Sequence, residues 1–485
     1  MSDNDFFALT PLLLLSGSAV LIMLLIVAKL SHRIIQISSL ILFIISFSSL
    51  FYIQKILPYN VGTLFVVDGF GVFVVGLVIF SGLVVNILSY IYFEEKEEGP
   101  REYYVLLFLC TLGASVLALS KHFIALFLGL EILTVGLYAL IAYLRGRNHS
   151  IEAGIKYLVL AAFSSAFLLF GMALIYLETG AMEFQDMIPE SAKSLSHLFY
   201  TGLGMMLVGV GFKLAVVPFH MWTADVYQGA PAPVTAFIAT ASKGGVLAVL
   251  LRFFIAIDGF KFSPVMFTLT CIAAVSMIFG NLLALRQRNL KRILAYSSVA
   301  HMGYLLVAFI PGNLMSLQAV CFYLFTYFVT TLSAFGVVIM MSGKNDDAED
   351  IDEYRALFWK HPGQACILSF AMLSLAGIPL TAGFTGKFYI LATAIQSGYW
   401  PLAVILVLSS VIGLYYYLRV ITAMFTGNKN TIPEEREKHV FFFRTGMLAL
   451  SVLGAMIIWL GIYPQDVISF ISQALVTSDL LFTNF

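Results

Sequence analysis

The chain has 485 residues, of which 60% are hydrophobic and only 11% are charged, and its mean hydropathy is +0.94. A soluble domain carries roughly 25% charged residues, so this composition excludes a large soluble core. The formal net charge of zero excludes the basic surface of a nucleic-acid-binding protein.

Apolar runs near the length that crosses a bilayer predict an all-α, polytopic membrane protein with about fourteen transmembrane helices. The chain starts MSDNDFF, with acids where a signal peptide has its basic region, so we expect the first run to be a retained helix. The predicted spans are 8–28, 34–53, 70–92, 103–119, 123–143, 155–176, 200–217, 234–257, 264–285, 291–310, 316–341, 364–397, 400–425 and 445–472.

Two of these spans, the seventh and the twelfth, contain helix-breaking residues. Pro218 lies in GFKLAVVPFHMW, and a second short piece is expected through PFHMWTADVY. Pro379 lies in SLAGIPLTAGFTGKF, with Gly377, Gly383 and Gly386 around it. Proline removes a backbone donor and clashes one turn back. Broken backbone at membrane depth is tolerated only where it faces protein or a wet cavity, so the breaks indicate functional positions.

Loop cations predict the orientation of the chain. With an external N-terminus, the cytoplasmic loops carry about eighteen cations and the opposite loops about five, as the positive-inside rule requires. Both termini are then external. The first set is Lys29, Arg33, Lys96, Arg101, Arg145, Arg147, Arg286, Arg288, Lys291, Arg292, Lys344, Arg355, Lys360, Arg419, Lys429, Arg436, Lys438 and Arg444, and the second is Lys55, Lys121, Lys193, Arg252 and Lys261.

Spacing suggests an internal duplication. The prolines of the two breaks are 161 positions apart, Glu131 precedes Lys213 by 82 positions, and His301 precedes Lys387 by 86. Two groups of five helices would then be inverted in the membrane, which is a transporter architecture. The expected segments are a three-helix part (1–100), a first repeat of helices 4–8 (101–260), a second repeat of helices 9–13 (261–426) and helix 14 (427–485). Chance spacing is the alternative, because letter-by-letter similarity is weak.

Among the charged residues inside predicted spans, we single out Glu131, Lys213, Lys243 and Lys387 as membrane-embedded. A charge at the centre of a lone membrane helix costs roughly 2.5–3.5 kcal/mol on insertion scales, so these residues point to function, and proton movement is the leading hypothesis. The alternative is that these side chains only hold helices together by polar contacts, although Ser or Asn would provide such contacts at a lower free-energy cost of burial. Lys156 lies near a helix start, where it can snorkel to water.

The residue types favour proton handling. Lys213 is the candidate partner of Glu131, the one acid in its helix, and a change at the glutamate would load or unload a proton on the lysine. Burial readily shifts the pKa of lysine, whereas arginine stays charged. Lys243 is expected in the next helix, and His301 can relay protons through its two nitrogens. His220 is a weaker candidate, with capping of the broken helix as the alternative.

No redox or nucleotide motif is found. The sequence has no GxGxxG after a strand, no Walker motif, no metal-ligand spacing and no CxxC, and its cysteines (Cys110, Cys271, Cys321 and Cys366) lie in or beside apolar runs. We therefore expect no nucleotide, metal or redox centre in this chain. The acidic segments EEKEEGPRE and KNDDAEDIDEYR are interpreted as solvated loops, with partner contacts as the alternative.

Four long motifs carry a resemblance to a known family: PFHMWTADVYQGAPAPVTAFIATASK, NLKRILAYSSVAHMGYLLVA, LSLAGIPLTAGFTGKFY and GLYYYLRV. Over essentially its whole length, the chain resembles the antiporter-like membrane subunits of the bacterial proton-pumping NADH:quinone oxidoreductase (respiratory complex I). Lys387 fits subunit N better than subunit M, which usually has a glutamate there. Subunit L has a long lateral C-terminal helix, for which the final spans leave no room.

The resemblance implies a fourteen-helix subunit with two inverted five-helix repeats, a Glu131–Lys213 charge pair, a central Lys243 and a terminal Lys387. It implies a proton-translocating part of a respiratory translocase in the bacterial inner membrane, with both termini periplasmic. NADH, FMN, iron–sulfur clusters and a quinone such as ubiquinone are then expected in partner subunits. The implied neighbours are an M-like antiporter subunit, small J- and K-like subunits and the lipid bilayer.

Two other functions stay open at this point. A subunit of an Mrp-type cation/proton antiporter shares the implied fold, and it would exchange sodium for protons without redox subunits. A membrane scaffold without transport is the third hypothesis. It predicts that neutral replacement of Glu131 and the three deep lysines is tolerated.

Overall fold

The computed structural model describes residues 2–94, 100–188, 196–344, 346–427 and 440–478. Within these ranges, 13 helices are long and apolar enough to cross a membrane. A further crossing, the predicted twelfth, consists of two shorter helices on either side of Pro379. The prediction of an all-α, polytopic membrane protein with about fourteen spans is therefore confirmed.

The N-terminal part consists of α1 (Asp3–Ala8), α2 (Thr10–Val27), α3 (His32–Ile53) and α4 (Gly69–Glu94). Ser2 and Asp5 form a reciprocal capping box that starts α1. A 3₁₀ turn (Gln54–Ile56) follows α3, and an antiparallel hairpin of β1 (Tyr59–Val61) and β2 (Phe65–Val67) leads into α4. The described part of the chain thus has one small sheet, located between α3 and α4.

Two groups of five crossings follow, and each contains one broken helix. The first is α5 (Glu102–Leu119), α6 (Phe123–Ile141), α7 (Asn148–Thr179), the broken pair α8 (His197–Leu214) and α9 (Met221–Gly229), and then α10 (Ala232–Phe237) and α11 (Lys243–Ala256), joined by a π-helical turn. The second is α12 (Ser263–Leu285), α13 (Leu290–Phe309), α14 (Leu314–Met341), a connecting α15 (Leu357–Lys360), the broken pair α16 (Pro362–Ala376) and α17 (Ala382–Gln396), and α18 (Trp400–Phe425). Since five is odd, the second group is inverted relative to the first.

The two breaks lie where the prolines and glycines predicted them. After α8, Ala215 takes a left-handed conformation (φ +60°), and α9 begins three residues beyond Pro218. After α16, Gly377 is left-handed (φ +85°), and α17 begins three residues beyond Pro379. Each break ends a helix in mid-crossing and leaves backbone groups that must find partners inside the protein.

The C-terminal span differs from the prediction of one helix over 445–472. Two helices are present, α19 (Val440–Ile462) and α20 (Gln465–Val476). Pro464 lies between them, at the N-cap of α20, and proline cannot continue a preceding helix. The short α20 packs back against α4 and α14.

The centre of the bundle is formed by α10, α11, α13 and α14, which are almost wholly buried, whereas only about a third of the residues of α2, α7, α12, α18 and α19 are buried. This arrangement encloses any charge on α11 or α13. It also corrects two loop assignments, because Arg252 lies buried in α11 and Lys291 lies fully buried in α13. The loop cations Lys96, Lys193, Lys429, Arg436 and Lys438 lie outside the described residues.

Candidate functional site

Lys213 lies in the last turn of α8, buried among side chains of α6 and α7. Its Nζ donates to Thr134 Oγ1 (2.6 Å) and to the Tyr157 hydroxyl (3.3 Å), and it lies 5.1 Å from the centre of the Tyr157 ring. A buried ammonium group must be hydrogen-bonded to persist, and these contacts supply that need. Lys213 is thus buried in the helix bundle, and its role in proton transfer stays a prediction.

Glu131 lies on α6, half-buried, and accepts a hydrogen bond from Ser165 (2.6 Å). Glu131 and Lys213, both in the described part of the chain, form no direct ion pair. Thr134 separates them, because it follows Glu131 by three residues on the same face of α6 and accepts from Lys213. The Thr134 hydroxyl donates to the Leu130 carbonyl (2.5 Å) and not to Glu131, so no hydrogen bond of the described residues joins the glutamate to the lysine. The predicted partners are therefore not a contact pair, and a charge on Glu131 would act on Lys213 only through space.

Lys243 begins α11 directly after the π-helical turn Ile238–Ser242, which the sequence did not reveal. π-turns inside helices are frequent at functional sites. The Lys243 side chain is buried, donates to Ser298 Oγ (2.9 Å) and lies 5.8 Å from the centre of the Tyr227 ring. The π-turn therefore precedes a lysine whose polar contact is with the second repeat.

His301 is buried on α13 between two tyrosines of different helices. Its Nδ1 is 2.7 Å from the Tyr323 hydroxyl, and its Nε2 is 3.2 Å from the Tyr417 hydroxyl. Tyr417 also hydrogen-bonds Ser297 (2.5 Å). Lys243 therefore contacts Ser298, and Tyr417 joins Ser297 to the imidazole. The two serines are neighbours in the chain, but no hydrogen bond connects their described side chains, because consecutive helical residues point in different directions.

Lys387 lies on α17 and points back into the second break. Its Nζ donates to the Leu375 (2.8 Å) and Ala376 (3.0 Å) carbonyls and to Ser410 (2.8 Å). These carbonyls belong to the last turn of α16, where a helix has unpaired oxygens and the negative end of its dipole. Lys387 therefore satisfies the broken helix that its sequence position predicted it to follow.

Tyr304 connects Lys387 to His301. Its ring centre is 4.9 Å from Lys387 Nζ and 5.4 Å from the imidazole centre. Its hydroxyl accepts from Asn281 (3.1 Å). Contacts thus run from Ser297 through Tyr417, His301 and Tyr304 to Lys387, and Lys243 contacts the neighbouring Ser298.

The interval between Lys213 and Lys243 is different. It is filled by aromatic rings, with Trp222 centred 5.2 Å from Tyr157 and 6.4 Å from Tyr227. Trp222 and Tyr227 both lie on α9, the second half of the broken helix. The candidate site therefore has a hydrogen-bonded half and an aromatic half that meet at α9.

His220 and Lys156 do not join this line. His220 occupies the N-cap position of α9 that its capping interpretation requires, but its buried side chain makes no capping hydrogen bond. Lys156 is partly exposed, as snorkelling requires, and it pairs with Glu152 (2.8 Å) and Asp225 (2.9 Å). Asp225 lies on α9, so Lys156 connects the start of α7 to the broken helix.

The interpretation of KNDDAEDIDEYR as a solvated loop is wrong for Asp347. Its side chain is buried and accepts from Lys291 (2.8 Å), Arg147 (3.2 Å) and Tyr92 (2.6 Å). Lys291 also donates to the carbonyls at the end of α9. In the other acidic segment, residues 95–99 lie outside the described residues. Asp347 is therefore part of an ion cluster that holds the end of the first broken helix.

The sequence did not identify the hydroxyl partners of the site. Tyr, Ser and Thr are too numerous along the chain to choose among them. One signal was present, because Ser297 and Ser298 precede His301 by four and three residues and so share its face of a helix. The others depend on contacts between distant helices. Among the residues that the structure describes, no group of three His, Cys, Asp or Glu side chains is placed to hold a metal ion.

Comparison with known proteins decides the family. The family model "NADH:quinone oxidoreductase/Mrp antiporter, TM" matches residues 120–413, a range that includes all five candidate residues. The "NADH-quinone oxidoreductase subunit N" of Ectopseudomonas mendocina is 43% identical over 480 residues, which cover 97% of each chain. This chain belongs to the subunit N family. The resemblance stated from the four motifs is confirmed.

Solved structures agree with this family. A chain of respiratory complex I from Thermus thermophilus with bound aureothin has a TM-score of 0.81 and 33% identity, covering 95% of this chain and 98% of that chain. A chain of the Mrp complex from Dietzia sp. also gives a TM-score of 0.81, covering 98% of this chain and 97% of that one, but at 19% identity. The second likeness shows the fold alone. The subunit N family therefore shares its architecture with Mrp antiporters and its sequence with complex I.

Proposed function

We propose that this chain translocates protons as a membrane-arm subunit of NADH:quinone oxidoreductase, while other subunits oxidise NADH and reduce quinone. The observation that carries the proposal is the burial of Lys213, Lys243 and Lys387 inside membrane helices, each bonded to hydroxyls or carbonyls and none to an acid within the described residues. A lysine held in this way can exist with or without its proton, whereas a contact ion pair would fix its charge. The family supplies the redox context.

In this proposal, Glu131 is the switch. Its charge acts on Lys213 across Thr134, so a change in protonation or position at Glu131 alters how strongly Lys213 holds its proton. The proton released by Lys213 passes the aromatic interval at α9 to reach Lys243. From Lys243 the proton would pass to Ser298, cross to the neighbouring Ser297 without a direct hydrogen bond, and continue through Tyr417 to His301.

His301 can accept a proton on one nitrogen and release one from the other, and its two nitrogens contact different tyrosines. Tyr304 then connects the imidazole to Lys387. The terminal lysine lies beside the negative end of α16, which stabilises its protonated form until the break changes shape. The catalytic set of the proposal is Glu131, Lys213, Lys243, His301 and Lys387.

The setting of the chain is part of the same proposal. We place it in a bacterial inner membrane with both termini periplasmic, because the remaining loop cations still favour that orientation. Its neighbours would be an M-like antiporter subunit and small J- and K-like subunits. NADH, FMN, iron–sulfur clusters and quinone would belong to partner subunits. The four segments 1–100, 101–260, 261–426 and 427–485 are its proposed domains.

The test is proton pumping by the assembled enzyme in vesicles after Lys213→Ala or Lys387→Ala, with NADH oxidation followed in parallel. We expect assembly to persist and pumping to fall in both variants. Lys261→Ala is the matched control, because Lys261 is an exposed cation paired locally with Asp258. Normal assembly with undiminished pumping in both lysine variants would contradict the proton-transfer roles assigned to Lys213 and Lys387. Isolation without redox subunits, together with sodium–proton exchange, would instead support the Mrp-type function.

A further inference from the structure

A cavity of about 600 Å³ lies outside the proton path, between the N-terminal helices and the C-terminal hairpin of α19 and α20. Its size falls in the range of small-molecule sites. Its walls come from α3, α4, α14, α19 and α20. The lining residues are Phe47, Leu50, Phe51, Gln54, Leu57, Gly69, Val72, Phe73, Gly76, Leu77, Phe80, Phe325, Met456, Trp459, Asp466, Val467, Phe470, Gln473, Ala474 and Thr477.

The lining of this cavity is mostly apolar. Its polar residues are Gln54, which follows α3, and Asp466, Gln473 and Thr477 of the α20 segment, of which Thr477 lies against Gly69 at the start of α4. The rest of the lining is aliphatic or aromatic. Asp466 is the one charged residue among the lining residues that the structure describes.

The mouth of the cavity opens onto exposed apolar surface. Phe51 on α3, Trp459 on α19 and Phe470 on α20 are 62%, 43% and 50% exposed, and α3 and α19 are both membrane-length helices. Tryptophan is enriched at the level where hydrocarbon meets headgroups. In a bilayer, an acyl chain could enter from this surface, and apolar walls of this extent favour an apolar occupant over water.

We propose that this cavity binds a membrane phospholipid whose headgroup carries an ammonium group, such as phosphatidylethanolamine. One acyl chain would lie along Phe47, Phe73 and Phe80, and the ammonium would pair with Asp466. The carboxylate is exposed and makes no ion pair with any residue that the structure describes, so it is available to a cation. The same carboxylate disfavours headgroups with net negative charge.

One exposed cation, Lys55, follows a lining residue of this cavity in sequence and is available to the phosphate of a zwitterion. Lys55 follows Gln54 in the 3₁₀ turn after α3, and it is exposed. An ammonium facing Asp466 and a phosphate near Lys55 would place both headgroup charges beside opposite charges. The two protein charges come from opposite walls of the cavity, so one lipid would bridge the N-terminal helices and α20.

The occupant would also pack behind the helix that holds His301. Phe325 lines the cavity from α14, while Tyr323 and Tyr327 of the same helix contact the imidazole. Gln318 of α14 donates to Ser472 of α20 (3.1 Å). The lipid would thus support α14 and α20 without entering the proton path, and the inference does not depend on the proposed proton transfer.

Gly76 offers a way to fill the cavity. It lies on α4 in the cavity wall, and a Cβ there would meet Leu50 Cδ1 at 3.4 Å and Phe47 Cε2 at 4.0 Å, which are ordinary van der Waals distances. Gly76→Leu therefore projects a side chain into the space of the acyl chain. Gly76→Ala is the matched control, because it changes the same backbone position and leaves most of the volume open.

The experiment uses the full-length chain, with its copurifying subunits, in vesicles of phosphatidylethanolamine and phosphatidylglycerol. Each lipid is supplied in turn as a probe with a diazirine in its acyl chain, and labelled peptides are mapped after illumination. We expect phosphatidylethanolamine to label the peptides that contain Phe73 and Phe470. Gly76→Leu should reduce that labelling to background, and Gly76→Ala should preserve it. Asp466→Asn should lower it roughly two- to fivefold, the value of an exposed charge pair.

Three results would overturn the proposal. Equal labelling in Gly76→Leu and wild type would show that the lipid does not enter the cavity. Equal labelling by the phosphatidylglycerol probe, unchanged in Asp466→Asn, would remove the headgroup assignment. Preferential labelling of the same peptides by a diazirine-bearing isoprenoid quinone would assign the cavity to a different molecule. If Gly76→Leu fails to fold, Asp466→Asn alone still decides the headgroup assignment.

Discussion

Tyr417→Phe tests the connection between the serines of α13 and His301. The variant removes one hydroxyl, which contacts Ser297 (2.5 Å) and His301 Nε2 (3.2 Å), and keeps the ring and its packing. No other hydrogen bond between described residues connects Ser297 to the imidazole. If protons pass from Lys243 to His301, this hydroxyl is the expected bridge.

The size of the effect follows from the two lost hydrogen bonds. Each hydrogen bond contributes about 0.5–1.5 kcal/mol net. The variant therefore destabilises the hydrogen-bonded geometry needed for proton transfer by about 1–3 kcal/mol. If the loss appears in the transfer barrier, transfer slows roughly 5- to 150-fold, since about 1.4 kcal/mol corresponds to a factor of ten. We expect proton pumping to fall by an amount in this range wherever this step limits turnover.

Tyr416→Phe is the matched control. Tyr416 is the preceding residue on α18 and is also buried, but its hydroxyl donates to Asn281 (2.9 Å) instead of contacting His301. Both variants lose one buried hydroxyl, so both should lose similar stability. Pumping is measured in vesicles as acidification per NADH oxidised, after assembly has been checked. Equal pumping by the two variants, whether high or low, would refute the role given to Tyr417.

Three further predictions concern positions near the site or the bundle centre. Asp68→Asn leaves the buried guanidinium of Arg252 without its carboxylate, so we expect a loss of about 3–5 kcal/mol in stability, seen as a lower melting temperature in detergent. A melting temperature unchanged from wild type would contradict this. Gly377→Ala should lower the free energy of unfolding by about 1–2 kcal/mol, because the φ of Gly377 is +85°. It should also reduce pumping, because the new Cβ would lie 2.9 Å from the side chain of Lys387. Gly398→Ala is the control: its φ is +81° but its Cβ would meet open space, so pumping should be kept. Thr134→Val removes a hydrogen bond to the Lys213 ammonium that is worth about 1.5–3 kcal/mol, so we expect pumping to fall without loss of assembly. Pumping at the wild-type level would show that the Thr134 hydroxyl is not part of the path.

Features encoded within one stretch of chain could be predicted from the sequence. A membrane crossing needs only a sufficient apolar length, and a break needs only proline with glycine nearby, so the spans and the breaks at Pro218 and Pro379 are found where they were expected. The prediction failed at Pro464, where the same proline rule applied but the apolar run was treated as continuous. The π-turn before Lys243 has no comparable sequence signal.

Contacts between distant helices could not be predicted. Arg252 and Lys291 were assigned to loops because cations near span ends usually lie in loops, but their partners Asp68 and Asp347 come from segments far away in sequence. The same limit applies to the lysines of the site. Their depth followed from hydropathy, whereas the hydroxyl that each one contacts depends on how helices pack.

The two halves of the protein satisfy their broken helices in different ways. In the second half, Lys387 itself donates to the carbonyls at the end of α16. In the first half, the indole of Trp222 donates to the Phe212 carbonyl (3.0 Å) near the end of α8, and the neutral ring leaves Lys213 free to donate to Thr134 and Tyr157.

This difference explains why equal spacing of the prolines does not give equal roles to the lysines. Lys213 precedes its proline, and its contacts lie on the helices that also carry Glu131 and Ser165, so in the proposed function its charge responds to the glutamate. Lys387 follows its proline, and its contacts are the break itself, so its environment depends on the shape of the backbone. The feature that the two halves share is therefore the broken helix with its dipole end inside the bundle. The lysine lies at a different place in each half, so the stability of the protonated lysine would respond to Glu131 in the first half and to the backbone of the break in the second.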